Sequence, residues 1–216
     1  MVSASPAVQN LSTNTWVSAT WDEYVVLADS ATYETGWCYY DSGEMRIEMA
    51  ALGPSHARDN AILSKVVSLF ATLKMIRIAE YVNCTFRKVG IRDAQPDLAF
   101  YLGNEVHFPP RTNEPVDVDI YGVPQLVIEI ASSSLSDDLG PKRLLFERLG
   151  VAEYWVVNVA AGKVIAFAVE NGGSGEIRAS KILPGLAMNE VEEALRRSQT
   201  EDDGAINRWL LEMYRK

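Results

Sequence analysis

The chain has 216 residues, 48% of them hydrophobic and 23% charged, enough apolar material for a real core in one ordinary-sized domain. Its 20 Lys and Arg against 29 Asp and Glu leave a net charge of −9. That balance argues against a protein that coats nucleic acid by bulk electrostatics, though not against a local basic groove beside an acidic centre. Two cysteines without a CxxC spacing, Cys38 and Cys84, argue against a disulfide framework or a zinc site and fit free thiols in a reducing cytoplasm.

Residues 1–15 are rich in Ser, Thr and Asn and lack the basic-then-apolar order of a signal peptide. They are expected to form a disordered or extended arm ahead of a single domain spanning 16–216. No apolar run approaches the ~20 residues of a membrane span. Thr20 and Glu23 make a capping box that predicts a helix over 21–28. Residues 37–40 and 44–49 read as a hairpin about Asp41-Ser42-Gly43, with Met45, Ile47 and Met49 alternating with Glu44, Arg46 and Glu48. From 56 to 79, Ile62, Val66, Leu69, Leu73 and Ile76 recur at three- and four-residue steps, the stripe of a long helix. Strands are expected over 81–89, 97–102 and 125–131, with a proline-interrupted loop over 103–124. A helix should start at Asp137 or Asp138 and stop at Gly150. Strands follow over 153–158, 163–170 and 176–180, then helices over 189–197 and 205–214. This order predicts an α/β fold, bordering on α+β, with a mixed central sheet flanked by helices.

The residues that could carry chemistry cluster between 95 and 142. Asp97 follows Pro96 at the mouth of the apolar run 98–102, and Glu129 sits inside Leu126-Val-Ile-Glu-Ile130. A carboxylate in a strand covered on both faces costs several kcal/mol, roughly, unless a cation compensates it. Either a divalent metal or a buried Arg or Lys could do so, and spacing alone does not choose. Lys142 follows Asp138 by four residues, which suits either a lysine beside a metal-bound phosphate or a surface ion pair. Asp138 itself reads as an N-cap. His56, at the start of the long helix, could face the pocket as a proton carrier or make local hydrogen bonds. Glu44 and Glu48 could approach the site or form the polar face of the hairpin. Lys65, Arg87, Lys88, Arg92 and Arg143 are candidate phosphate contacts or scattered surface charge. Trp155 and Trp209 read as packing residues.

Pro96-Asp97 followed by an apolar strand with Glu129 resembles the metal-binding core of the PD-(D/E)xK nuclease superfamily. Within it the chain resembles the Uma-type endonuclease family. The likeness rests on Trp21-Asp-Glu-Tyr24, the run from Asp41 through Met49 to Ser55-His56, Pro96-Asp97, Leu126 to Ile130 with Ser132, Asp138-Leu-Gly-Pro-Lys142-Arg143, Gly150 to Val157, and Pro184-Gly-Leu186. It implies a restriction-endonuclease-like fold and an endonuclease acting on DNA. It implies Mg²⁺ or Mn²⁺ held by Asp97 and Glu129 with the main-chain carbonyl of Ile130. The chain departs from the superfamily where a lysine should stand two residues after Glu129, since position 131 is Ala. In the family that lysine sits on the following helix, here Lys142. Asn158 stands where many relatives have Asp. Two other readings remain: a non-catalytic nucleic-acid-binding or scaffold protein that keeps the nuclease fold, and an oligomerisation or toxin–antitoxin-like module suggested by the apolar last helix. A homodimer in the cytoplasm is the expected state.

Overall fold

A computed structural model describes residues 12–49 and 53–215, so most of the arm expected over 1–15 lies outside the described residues. In chain order the first elements are β1 (Val17–Ser18), α1 (Trp21–Ala28), β2 (Trp37–Asp41), β3 (Glu44–Glu48) and α2 (Pro54–Leu73). Then come β4 (Ile78–Val82), β5 (Phe86–Lys88), β6 (Arg92–Ala94), β7 (Leu98–Leu102), β8 (Val116–Asp117), α3 (Val118–Tyr121) and β9 (Leu126–Ala131). The chain ends with α4 (Leu135–Leu139), α5 (Pro141–Leu149), β10 (Glu153–Asn158), β11 (Lys163–Glu170), β12 (Gly173–Ile177), α6 (Met188–Arg197) and α7 (Asp203–Tyr214). Among the described residues no helix is long and apolar enough to cross a membrane.

Local chemistry sets several of these boundaries. The Thr20 hydroxyl accepts the Glu23 N–H and the Glu23 carboxylate accepts the Thr20 N–H, closing the capping box that starts α1. The hairpin of β2 and β3 turns on Ser42 and Gly43, at φ 51° and 110°, the left-handed pair that matches the twist of antiparallel strands. The long helix stops at Leu73 rather than near 79, because Met75 turns left-handed (φ 57°) and Ile78 already pairs with Leu102.

The fold is mixed α/β as expected, but it holds two mixed six-stranded sheets rather than one. The first runs β1-β3-β2-β6-β5-β8 and the second β12-β11-β10-β9-β7-β4. The strand expected over 81–89 is the cause of the difference. It breaks at left-handed Asn83, so that β4 joins the second sheet and β5 the first. Both β6 and β8 are too short for alternation to reveal them.

In the second sheet β9 is parallel to β10 and antiparallel to β7. Alternate residues face opposite sides. Leu126, Ile128 and Ile130 of β9, with Leu98 and Phe100 of β7, pack with Ile62, Val66 and Phe70 of α2 and with Leu210 of α7. Val127 and Ala131 of β9, with Ala99 and Tyr101 of β7, pack on the other side with Tyr39 of β2 and Leu145 and Phe146 of α5. The same parity sends Asp97 and Glu129 to this second side, between the two sheets.

Candidate active site

Asp97 and Glu129 meet where β7 enters the second sheet. The Asp97 N–H donates to Glu129 Oε2 at 3.3 Å, and the Ile130 N–H donates to Asp97 Oδ2 at 2.8 Å, so each strand's backbone aims the other's carboxylate. The Tyr39 hydroxyl, 2.9 Å from the Gln95 carbonyl to which it donates, is also 3.3 Å from Glu129 Oε1. His56, at the start of α2, places Nε2 3.2 Å from Asp97 Oδ1, while its buried Nδ1 has no hydrogen-bond partner among the described residues.

Lys142 comes to this cluster from α5. Its Nζ donates to Glu48 Oε2 at 2.9 Å and lies 3.0 Å from Asp138 Oδ1, 4.0 Å from Glu129 Oε1 and 4.3 Å from the centre of the Tyr39 ring. Arg46 extends the network, touching Glu48 at 2.7 Å, Asp137 at 3.1 Å and the Asn14 carbonyl at 2.6 Å. A cavity of about 310 Å³ opens among these groups, lined by Asp97, Glu129, Ile130, Lys142, His56 and Glu48 together with Ser132 to Ser134 and Trp37.

Burial and crowding set the electrostatics. Burial first, and then the neighbouring carboxylates, push Glu129 well above the usual carboxylate range, with Lys142 opposing them. Burial raises Asp138 as well, against Lys142 and the Ser134 hydroxyl, which donates to it at 2.6 Å. Burial alone would lower Lys142, but Glu129, Asp138 and Glu48 outweigh it and hold the ammonium above its ordinary value. The hydrogen bond to Asp97 raises His56 against the effect of burial. Four carboxylates (Glu129, Glu48, Asp137 and Asp138) thus surround two permanent cations, Lys142 and Arg46, and a fifth, Asp97, adjoins Glu129. Among the described residues no group of three or more His, Cys, Asp and Glu side chains is arranged to hold a metal ion. The donors facing the cavity are nonetheless nearly all oxygens, which suits a hard cation such as Mg²⁺ that binds through one or two carboxylates and keeps several waters.

The sequence-predicted residues Asp97, Glu129, Lys142, His56 and Glu48 therefore converge, and Glu44 does not. It is exposed at the far end of β3, opposite Asp41. The Asp138–Lys142 pair forms, but it is buried rather than superficial, with side chains 1% and 2% exposed. Asp138 lies inside α4 and caps nothing. Tyr39, Arg46 and Asp137 were not expected in the site. Tyr39 is hidden in an apolar strand, and Arg46 occupies the alternation that marked a solvent face. The candidate phosphate contacts are already engaged: Lys65 with Asp203, Arg87 with Asp93, Lys88 with Asp119, Arg92 with Asp41 and Arg143 with the Ser174 hydroxyl. Trp155 is core, Trp209 packs against the core, and the Asn158 side chain accepts the Ala161 N–H in a turn.

Comparison with known proteins places the chain in a family. The model of the Uma2 family, described as "Putative restriction endonuclease", matches residues 21–203. No curated protein matches the chain. A crystal structure described as "a putative nuclease belonging to DUF820", from Anabaena variabilis ATCC 29413, is similar in fold, with a TM-score of 0.54 and 16% identity. The likeness covers 82% of this chain and 99% of that one. With the family model matching well over half its length, the chain belongs to the Uma2 family.

Proposed function

We propose that the protein is a Mg²⁺- or Mn²⁺-dependent endonuclease that hydrolyses phosphodiester bonds of DNA. The observation that carries this reading is the meeting of Asp97, Glu129 and Lys142 at one cavity, in a chain whose family is described as "Putative restriction endonuclease". Asp97 and Glu129, with the main-chain carbonyl of Ile130, would hold the ion. When bound, such an ion stabilises the charge that develops on a phosphoryl oxygen. Lys142 supplies a permanent positive charge and N–H donors for the attacking water or a phosphate oxygen. His56, hydrogen-bonded to Asp97, can take up or release a proton beside the same carboxylate.

A non-catalytic protein that keeps the nuclease fold is the second reading. It is favoured by the net charge of −9 and by the pairing of the five candidate phosphate contacts. A cleavage assay on DNA with Mg²⁺ or Mn²⁺ separates the two. The wild type should cut, and Asp97→Ala and Glu129→Ala should each fall to background. Cutting that survives both substitutions would rule out the proposed site.

A further inference from the structure

Lys142 reaches the site from a helix, not from the strand that carries Glu129, so its position depends on what grips it. The grip is built around a chain break. Helices α4 and α5 are separated by Gly140, at φ −109° and ψ −106°, and Pro141 begins the second of them. Across that break Asp138 and Lys142 turn inwards together, with side chains 1% and 2% exposed.

We infer that Asp138 is a positioning residue that holds the Lys142 ammonium against Glu129. This rests on the reading of Lys142 as part of a nuclease site. Asp138 is anchored from behind: Oδ2 accepts the Ser134 hydroxyl at 2.6 Å, and its main-chain carbonyl accepts the hydroxyl of Tyr154, a wholly buried residue of β10, at 2.9 Å. Its remaining oxygen, Oδ1, faces Lys142 at 3.0 Å. Glu48 also touches the lysine, but it stands on the cavity side, is 13% exposed and shares its carboxylate with Arg46. A group at the cavity can be recruited by whatever binds there. Asp138 cannot, and so keeps the lysine in place through such an exchange. A chain with Ala131 where the superfamily has its lysine thus replaces a strand position with a carboxylate clamp on the next helix.

Two readouts test this on the full-length protein. In the first, reductive methylation followed by mass spectrometry should leave Lys142 unmodified in the wild type while exposed Lys74 reacts. In Asp138→Asn, Lys142 should become modified, and Asp138→Glu should restore protection at least in part. In the second, cleavage by Asp138→Asn should drop by about tenfold or more, as for other residues that orient a catalytic group. Asp138→Ala combined with Lys142→Ala should be no worse than Lys142→Ala alone, because the aspartate acts through the lysine. Lys142 that stays protected in Asp138→Asn overturns the inference, and so does an additive double substitution. A wild type that cuts nothing would sink the nuclease reading, and methylation would still decide the clamp.

Discussion

Glu129 and Glu153 are both buried carboxylates in largely apolar strands, and their partners separate them. Glu153 is saturated: Oε1 accepts the N–H groups of Lys181 and Ile182, and Oε2 accepts the Trp155 indole and the Ser180 hydroxyl. That is a structural knot tying the 180–182 turn to β10. Glu129 has a phenol, one backbone N–H and a lysine 4.0 Å away, with other carboxylates raising the cost of its charge. The two should therefore respond oppositely to an amide. Glu153→Gln should lose about 1–3 kcal/mol of stability in a denaturant titration, since it strands buried donors, and still cut DNA. Glu129→Gln should melt no lower than the wild type and not cut. The sign follows from linkage: the native state keeps the Glu129 proton to higher pH than the unfolded chain. Its contribution to stability therefore declines as pH rises above the ordinary value of 4.5, and the glutamine variant should lack that decline. Glu129 could be picked out in sequence as a carboxylate that needs a partner. Glu153 breaks the same rule, however, and three of its four partners lie 27 to 29 residues away, where no local pattern points to them.

At the scale of elements, strand parity and one helix break assemble the site. The strands were legible, with Asp97 at the mouth of one and Glu129 inside another; that both turn to the side where α5 packs is seen in the structure. The break was missed: a helix starting at Asp137 or Asp138 and running to Gly150 has good termini and an unbroken period, but the Gly140-Pro141 pair inside it marks where α4 and α5 part, because proline has no N–H and disfavours a helical residue before it. Position 140 also has no room for a side chain: a β-carbon on Gly140 would stand 2.9 Å from the Ser136 carbonyl oxygen. Gly140→Ala should therefore cost about 1–3 kcal/mol in thermal or denaturant unfolding, as overpacking does, because the contact is with backbone that cannot rotate away. It should also slow cleavage, because relaxing the clash moves Asp138 relative to Lys142. A melt unchanged from wild type would mean that the turn absorbs the methyl group.

At the scale of the whole molecule, the site lies where the two sheets and the α4–α5 pair meet. Tyr39 and Glu48 come from the first sheet, Asp97 and Glu129 from the second, and Asp138 and Lys142 from the helices. The ordered family motifs were readable along the chain, but the division into two sheets was not, because it depends on a single left-handed residue, Asn83, and on strands of two and three residues. Such an assembly concentrates negative charge that the fold itself neutralises only in part. A divalent cation that binds the folded protein alone then stabilises it by mass action. At a concentration about a hundredfold above its dissociation constant the gain is about 2.7 kcal/mol, or roughly 5–11 °C in melting temperature for a chain of this size. Mg²⁺ or Mn²⁺ should raise the wild-type melting temperature by such an amount, Ca²⁺-free and at fixed ionic strength. Asp97→Ala should lose the shift. Lys142→Ala should keep or enlarge it, because removing the ammonium leaves Glu129, Asp138 and Glu48 with less compensation and a stronger pull on the ion. A shift that survives Asp97→Ala combined with Glu129→Ala would place the ion elsewhere on this acidic chain and separate metal binding from the cavity between the sheets.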